Sequence, residues 1–298
     1  MAPHTMSRYE NTPPGPEGHF QPRAGSSLHY ALQLTPVLHR PLVSTMLAIW
    51  HAMARIPLEL SDPGVAEAKL RWWQQEWVRF SQGQAQHPLM TRLDSERKML
   101  GAAPLDPAGW HLQAEGWIQL AHQNRWIDQA SLDQHIDITT GQAAAQWAQL
   151  LGATSEPAQH AARTLGRGLR RAHLLSRLGQ DARAGWVMVG IDLLQQHDVK
   201  AHQLTRPTSP PPDGWAALRD ELVQRARGEL RAGWQQATAV TSAERRALLP
   251  LLALARCADA LCQELARSGD AVLHQRVVLT PLRKAWISGQ TRWGVGSL

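Results

Sequence analysis

Apolar residues recur at helical spacing from one end of this chain to the other, and that pattern leaves little room for any architecture but packed helices. Trp110, Ala114, Trp117 and Ala121 share one face. So do Leu132, Ile136, Thr139, Ala143, Trp147 and Leu150, and again Ala162, Leu165, Leu169, Ala172 and Leu175. Spacings of three and four residues stack side chains along one side of an α-helix, giving each segment a stripe that must be buried. No comparable stretch alternates apolar and polar residues next to hairpin turns, so the chain reads as all-α.

The helix starts are also written in. Asp62 precedes Pro63, Asp106 precedes Pro107, and Ser155 stands shortly before Pro157. Each is an acceptor that can cap free N–H groups, followed by a proline in the first turn, where its missing donor costs nothing. The strongest interruption is TRPTSPPPDG over 205–214, whose prolines stop any helix. Helices resume over about Trp215 to Gln236 and Ser242 to Arg267 with the same amphipathic pattern. We therefore read a disordered segment over residues 1–25 and one helical domain over 26–298, with a Pro-rich loop at 205–214. No fixed-period repeat suggests a solenoid.

Composition narrows the function classes only a little. A formal charge of +6 favours anionic partners such as diphosphates, lipid head groups or nucleic acid without choosing among them. Lys69, Lys98, Lys200 and Lys284 are the only lysines among 31 basic residues, an arginine bias that fits a GC-rich genome. Cys257 and Cys262 are five apart, about 140° around a helix, and encode neither a local disulfide nor a metal clip. The first residues lack a signal peptide's apolar centre, and the apolar run Ala247 to Ala255 is too short to span a bilayer. The expected location is the cytoplasm, with any membrane contact peripheral and at its inner face.

Residues 50–77, WHAMARIPLELSDPGVAEAKLRWWQQEW, carry the most specific signal. A helix runs into Ser61-Asp62-Pro63, and the next helix contains Lys69, Leu70, Trp72 and Trp73. This block resembles the squalene and phytoene synthase family. The resemblance extends over roughly 26–293: Ser26 to Pro36 is similar to the opening helix and turn, Glu115 and Gly116 to the Glu-Gly segment, Gly141 to a central glycine, and the tail VLHQRVVLTPLRKAWISGQTRW to a closing basic amphipathic helix. It implies an isoprenoid-synthase-like helical bundle around a central cavity. Trp50, Leu58, Leu120, His135 and Gly141 are then expected to line that cavity, with His135 and Ile136 in place of the family's Tyr-Cys pair.

In that family two Asp-rich helices hold magnesium against a prenyl diphosphate. Carboxylates four residues apart share a helix face, and a hard cation bridges them to phosphate oxygens, stabilising the departing diphosphate. The resemblance places the first acidic cluster at Ala54, Arg55 and Leu58, none a magnesium ligand. In LGRGLRRAHLLSRLGQDARAG over 165–185, Arg177 takes the place of the first Asp and only Asp181 keeps a carboxylate, while Leu120 stands where an acidic residue is common. No confident metal ligand or cofactor emerges. Asp181 is the best remaining catalytic candidate, and magnesium enters only if Asp181 is joined by Glu59 or Glu115.

Two readings of the arginines stay open. Arg55, Arg177 and Arg183 could fork onto a diphosphate directly. Alternatively Arg55 and Arg177 fill a solvated cleft or pair with Glu59 or Asp181. The expected function is a prenyl-lipid-binding or assembly protein that has lost head-to-head prenyl transfer, since the family includes a noncatalytic branch that helps assemble respiratory complex I. The alternative is an active prenyl-diphosphate transferase with a non-standard metal site.

Arg163, Arg167, Arg170 and Arg171 make a basic face opposite Leu165 and Leu169, either solvated or facing anionic lipid or RNA. No aromatic residues alternate with them as base-stacking platforms, so nucleic acid is set aside. Of Trp72, Trp73 and Trp77, at least two are expected in the core. The histidines show no zinc-helix spacing, and no phosphate loop or nucleophile elbow stands out.

Overall fold

The computed structural model describes residues 21–298 apart from Ala103 and Val295, so most of the segment read as disordered lies outside the described residues. The chain runs through α1 (Ser27–Leu34), α2 (Arg40–Glu59), α3 (Pro63–Ser81), α4 (Pro88–Met99), α5 (Pro107–His122), α6 (Gln129–Ile136), α7 (Gln142–Leu150) and α8 (Glu156–Ser176). It continues with α9 (Leu178–Arg183), α10 (Ile191–Gln196), α11 (Ala201–Thr205), α12 (Trp215–Thr238), α13 (Ser242–Ala247), α14 (Leu249–Arg267), α15 (Ala271–His274) and α16 (Pro281–Arg292). Two short parallel strands, β1 (Arg125–Trp126) and β2 (Val187–Gly190), are the only sheet among the described residues. They are too short to leave a period-two signal.

The three capped starts form as their sequences dictate. Asp62 Oδ1 accepts from the N–H of Gly64 and Val65, Asp106 Oδ1 from Ala108, and Ser155 Oγ from Ala158. The predicted helix from Ser242 to Arg267 is instead two, broken at Leu248. Pro250 explains the break, because its ring cannot share a helix with the carbonyl four residues earlier. The stripe from Leu132 to Leu150 is likewise interrupted, by a π-helical turn over Asp137–Gly141 between α6 and α7. Such a turn adds a residue without ending the helix, so the buried stripe survives it.

The core lies between α8, α12, α14, α7 and the π-turn on one side, and α2, α3 and α5 on the other, with α7 in contact with α2. The α8–α12 crossing is close because glycines face leucines in both directions. A Cβ on Gly168 would sit 2.9 Å from the backbone nitrogen of Leu230, and one on Gly233 2.9 Å from that of Leu165. This packing joins segments on either side of the Pro-rich loop. Trp73 and Trp77 are buried, and Trp77 stacks on Trp110 at 4.1 Å between ring centroids. Trp72 stays on the surface, with the Arg79 guanidinium 5.8 Å above it.

Candidate functional site

The segment matching the first acidic helix is the C-terminal half of α2. Ala54 is buried, Arg55 and Leu58 are half-buried, and the Arg55 guanidinium is ion-paired with Glu59, one helical turn on. The segment matching the second is the α8–α9 junction. There Arg177 is buried and its Nη2 lies 3.0 Å from Asp181 Oδ1, again at i,i+4. Both positions therefore carry a guanidinium closed onto a carboxylate four residues further along the chain. Each pair is neutral and its acid is already satisfied, so this donor set does not fit magnesium. Among the described residues no cluster of three or more His, Cys, Asp or Glu could hold a metal ion.

The third arginine candidate is placed differently. Arg183 lies at the end of α9 and donates to the backbone carbonyls of Leu273 and His274, pinning α15 against α9. The two other carboxylates that an altered metal site would need are also engaged. Glu59 holds Arg55, and Glu115 accepts from Gln74 Nε2 at 2.7 Å.

The expected cavity-lining residues are brought together in part, and by aromatic contact. Trp50 meets Trp117 edge-on at 6.0 Å, Trp117 meets His135 at 5.6 Å, and His135 tilts against Trp126 at 4.9 Å. Three indoles and an imidazole thus form a continuous string through the interior, with His135 fully buried within it. Burial, reinforced by the positive charge of Arg170, pushes the His135 pKa down to about 3, so the ring is neutral. Leu120 is buried as well. Gly141 ends the π-turn with its back to α8, where an added Cβ would lie 3.2 Å from the Arg163 side chain. A cavity lined by Leu132, Ile136, Arg171, Leu175, Met188 and Leu222 has a volume of about 20 Å³, room for about one water molecule.

The basic face of α8 corrects the expectation of a solvated or ligand-facing surface. Arg163 grips Asp137 with two bonds, Nε to Oδ1 at 2.8 Å and Nη2 to Oδ2 at 2.6 Å. Arg167 bridges Asp137 at 3.1 Å and Glu229 at 3.0 Å, and Arg171 bridges Glu229 at 2.9 Å and Asp133 at 2.7 Å. Burial raises the Asp137 carboxyl, but Arg163 and Arg167 outweigh it and hold the group below the usual carboxylate range. Three arginines of α8 are thus spent on three acids from α6, the π-turn and α12. Asp133 and Asp137 are four apart and could have been noticed as a carboxylate pair, whereas nothing local linked either one to Glu229.

Comparison with known proteins agrees with this architecture. Residues 21–283 match the family described as squalene/phytoene synthase. The chain belongs to the squalene/phytoene synthase family. Comparison with curated proteins returns no match. Among solved structures, the chain is similar to a dehydrosqualene synthase in complex with ligand, at 15% identity over 90% of this chain and 91% of that one, TM-score 0.70. It is also similar to squalene synthase HpnC from Alicyclobacillus acidocaldarius, at 15% identity over 80% and 88% of the two chains, TM-score 0.68. A third, YisP from Bacillus subtilis subsp. subtilis strain 168, gives 15% identity, 88% and 89% coverage and TM-score 0.63. At that identity the likeness is one of fold, and the fold is the all-α isoprenoid synthase bundle.

Proposed function

We propose that this chain does not perform head-to-head prenyl transfer and acts as a binding or assembly protein built on the isoprenoid synthase bundle. The observation that carries this reading is the pairing of Arg55 with Glu59 and of Arg177 with Asp181, where the family's resemblance calls for metal-holding carboxylates. Ionising an allylic diphosphate needs preorganised positive charge on the leaving oxygens. These guanidiniums are already neutralised, and a diphosphate would have to compete with Glu59 and Asp181 for them. The aromatic string from Trp50 to Trp126 supports a role for the interior as packed scaffold rather than as a channel for a long prenyl chain.

The test is direct. Purified protein incubated with farnesyl or geranylgeranyl diphosphate and magnesium is expected to yield no C30 or C40 product in the organic phase. Product formation that disappears in Asp181→Ala would overturn the reading and restore an active transferase. Calorimetry with a nonhydrolysable prenyl diphosphate separates the binding version from the assembly version. Magnesium-independent binding weakened by Arg55→Ala or Arg177→Ala supports a prenyl-lipid site, and no binding leaves assembly as the role.

A further inference from the structure

The surface around α16 is unlike the rest of the molecule. Residues 271–298 contain no Asp or Glu, yet carry Arg276, Arg283, Lys284 and Arg292. The helix buries Ile287, Ser288 and Thr291 against the bundle. At about 100° per residue, Leu282, Trp286 and Trp293 fall within about 40° of one another on the opposite side. They are 81%, 65% and 76% exposed, and Val278, just before the helix, is exposed too. An apolar stripe turned away from the core is the reverse of what a helix in a bundle needs.

Beside the C-terminal end of this helix lies a groove of about 450 Å³. Half-buried Trp234, Val240 and Leu249 give it an apolar wall, and exposed Arg245, Arg246 and Arg292 give it charge. The side chains of these three arginines make no ion pair or hydrogen bond among the described residues. Arg283, by contrast, is tied to Glu264 and contributes less.

We propose that this face docks on an anionic phospholipid bilayer, with Leu282, Trp286 and Trp293 seated at head-group depth and a lipid phosphate held in the groove by Arg245, Arg246 and Arg292. Exposed indoles suit that depth because they join a broad apolar ring to one polar N–H. Unpaired arginines suit phosphate through their planar donor forks. A helix of this kind lies in the interface rather than crossing it, in keeping with the absence of any described helix long and apolar enough to span a membrane. A second copy of the chain fits the face poorly, since two-fold pairing would bring Arg245, Arg246 and Arg292 against their own copies. The proposal stands whether or not the interior turns over a prenyl diphosphate.

The experiment is vesicle flotation of the full chain with phosphatidylcholine alone and with phosphatidylcholine containing phosphatidylglycerol. Binding is expected only to the anionic vesicles and is expected to fall as salt rises. Trp286→Glu should weaken it about tenfold or more, while Trp286→Leu retains most of it. Arg245→Gln and Arg246→Gln should each cost about fivefold. All three positions are exposed, so thermal melts by circular dichroism should match the parent. Equal binding to neutral vesicles overturns the proposal, as does full retention of binding by Trp286→Glu or by the double arginine variant. A dimer in sedimentation that Trp286→Glu dissolves, without vesicle binding, assigns the face to a second copy and overturns it as well.

Discussion

Helices α8 and α16 are both basic and amphipathic, yet the fold treats them in opposite ways. On α8, Arg163, Arg167 and Arg171 meet Asp133, Asp137 and Glu229, each carboxylate brought in from a different turn or helix. Around α16 the chain supplies no acid of its own over 271–298, and although Arg283 is met by Glu264, Arg292 faces outward with Arg245 and Arg246 beside exposed indoles. A basic stripe therefore has no meaning by itself. What decides its role is whether neighbouring elements deliver carboxylates, and that is settled by topology rather than by the stripe.

The largest expected effect comes from breaking the answered side. Glu229→Ala takes one of two carboxylate partners from each of Arg167 and Arg171 in a partly buried crossing, leaving only Asp137 and Asp133, and should cost about 2 kcal/mol of unfolding free energy by urea titration. A loss below about 0.5 kcal/mol would show that α8 behaves as an ordinary surface helix, and the contrast with α16 would collapse.

A second effect is a pH dependence that the burial of three histidines creates and neighbouring arginines reinforce. Burial, then Arg170, pushes His135 down to about 3. Burial, then Arg170, Arg177 and Arg276, drives His173 well below its ordinary value. Burial, then Arg55 and against the opposing pull of Glu59, lowers His51 to about 4. These rings stay neutral when folded and take up protons when unfolded, so acid favours the unfolded chain. Their contribution is whole above the ordinary histidine value of 6.5 and is lost as pH falls from there towards the folded values of about 4 for His51 and about 3 for His135. The slope is up to about 1.4 kcal/mol per pH unit for each ring. Urea midpoints across that window should fall with acid, and His135→Phe should flatten the slope. An unchanged slope in that variant would show that His135 already titrates normally in the folded protein.

The smallest effect belongs to the unanswered side. Arg292→Ala removes an exposed charge with no partner among the described residues and should change folding stability by less than about 0.5 kcal/mol. A larger loss would mean that α16's arginines hold the fold together, as those of α8 do.

Much of the fold was legible before any coordinates. Asp62, Asp106 and Ser155 start helices where expected, because a capping oxygen and a first-turn proline act within a few residues of each other. The stripes on α5, α6–α7 and α8 are buried as their spacing demanded, with Ala121 and Leu169 half-buried. Two interruptions were missed. The break before Pro250 was present in the sequence and was overridden by the strength of the amphipathic pattern. The π-turn at Asp137–Gly141 was hidden because an extra residue within a helix barely disturbs its apolar period.

The site was legible only as a deficit. The family resemblance implied Arg55 and Arg177 in place of acids, and the two candidate partners, Glu59 and Asp181, lay within reach at i,i+4. Where Arg183 would go could not be read, since the Leu273 and His274 carbonyls lie about ninety residues away along the chain.

Local geometry thus gave the sequence authority over helix starts, helix faces and family, since each is fixed by residues within a turn or by motifs that survive divergence. Only the packed molecule decided which charges would be neutralised, that Trp50, Trp117, His135 and Trp126 would join through the interior, and that Leu282, Trp286 and Trp293 would be left facing outward. Those outcomes depend on contacts between residues distant in sequence, and a side chain's charge or size does not specify which remote element will come to stand beside it.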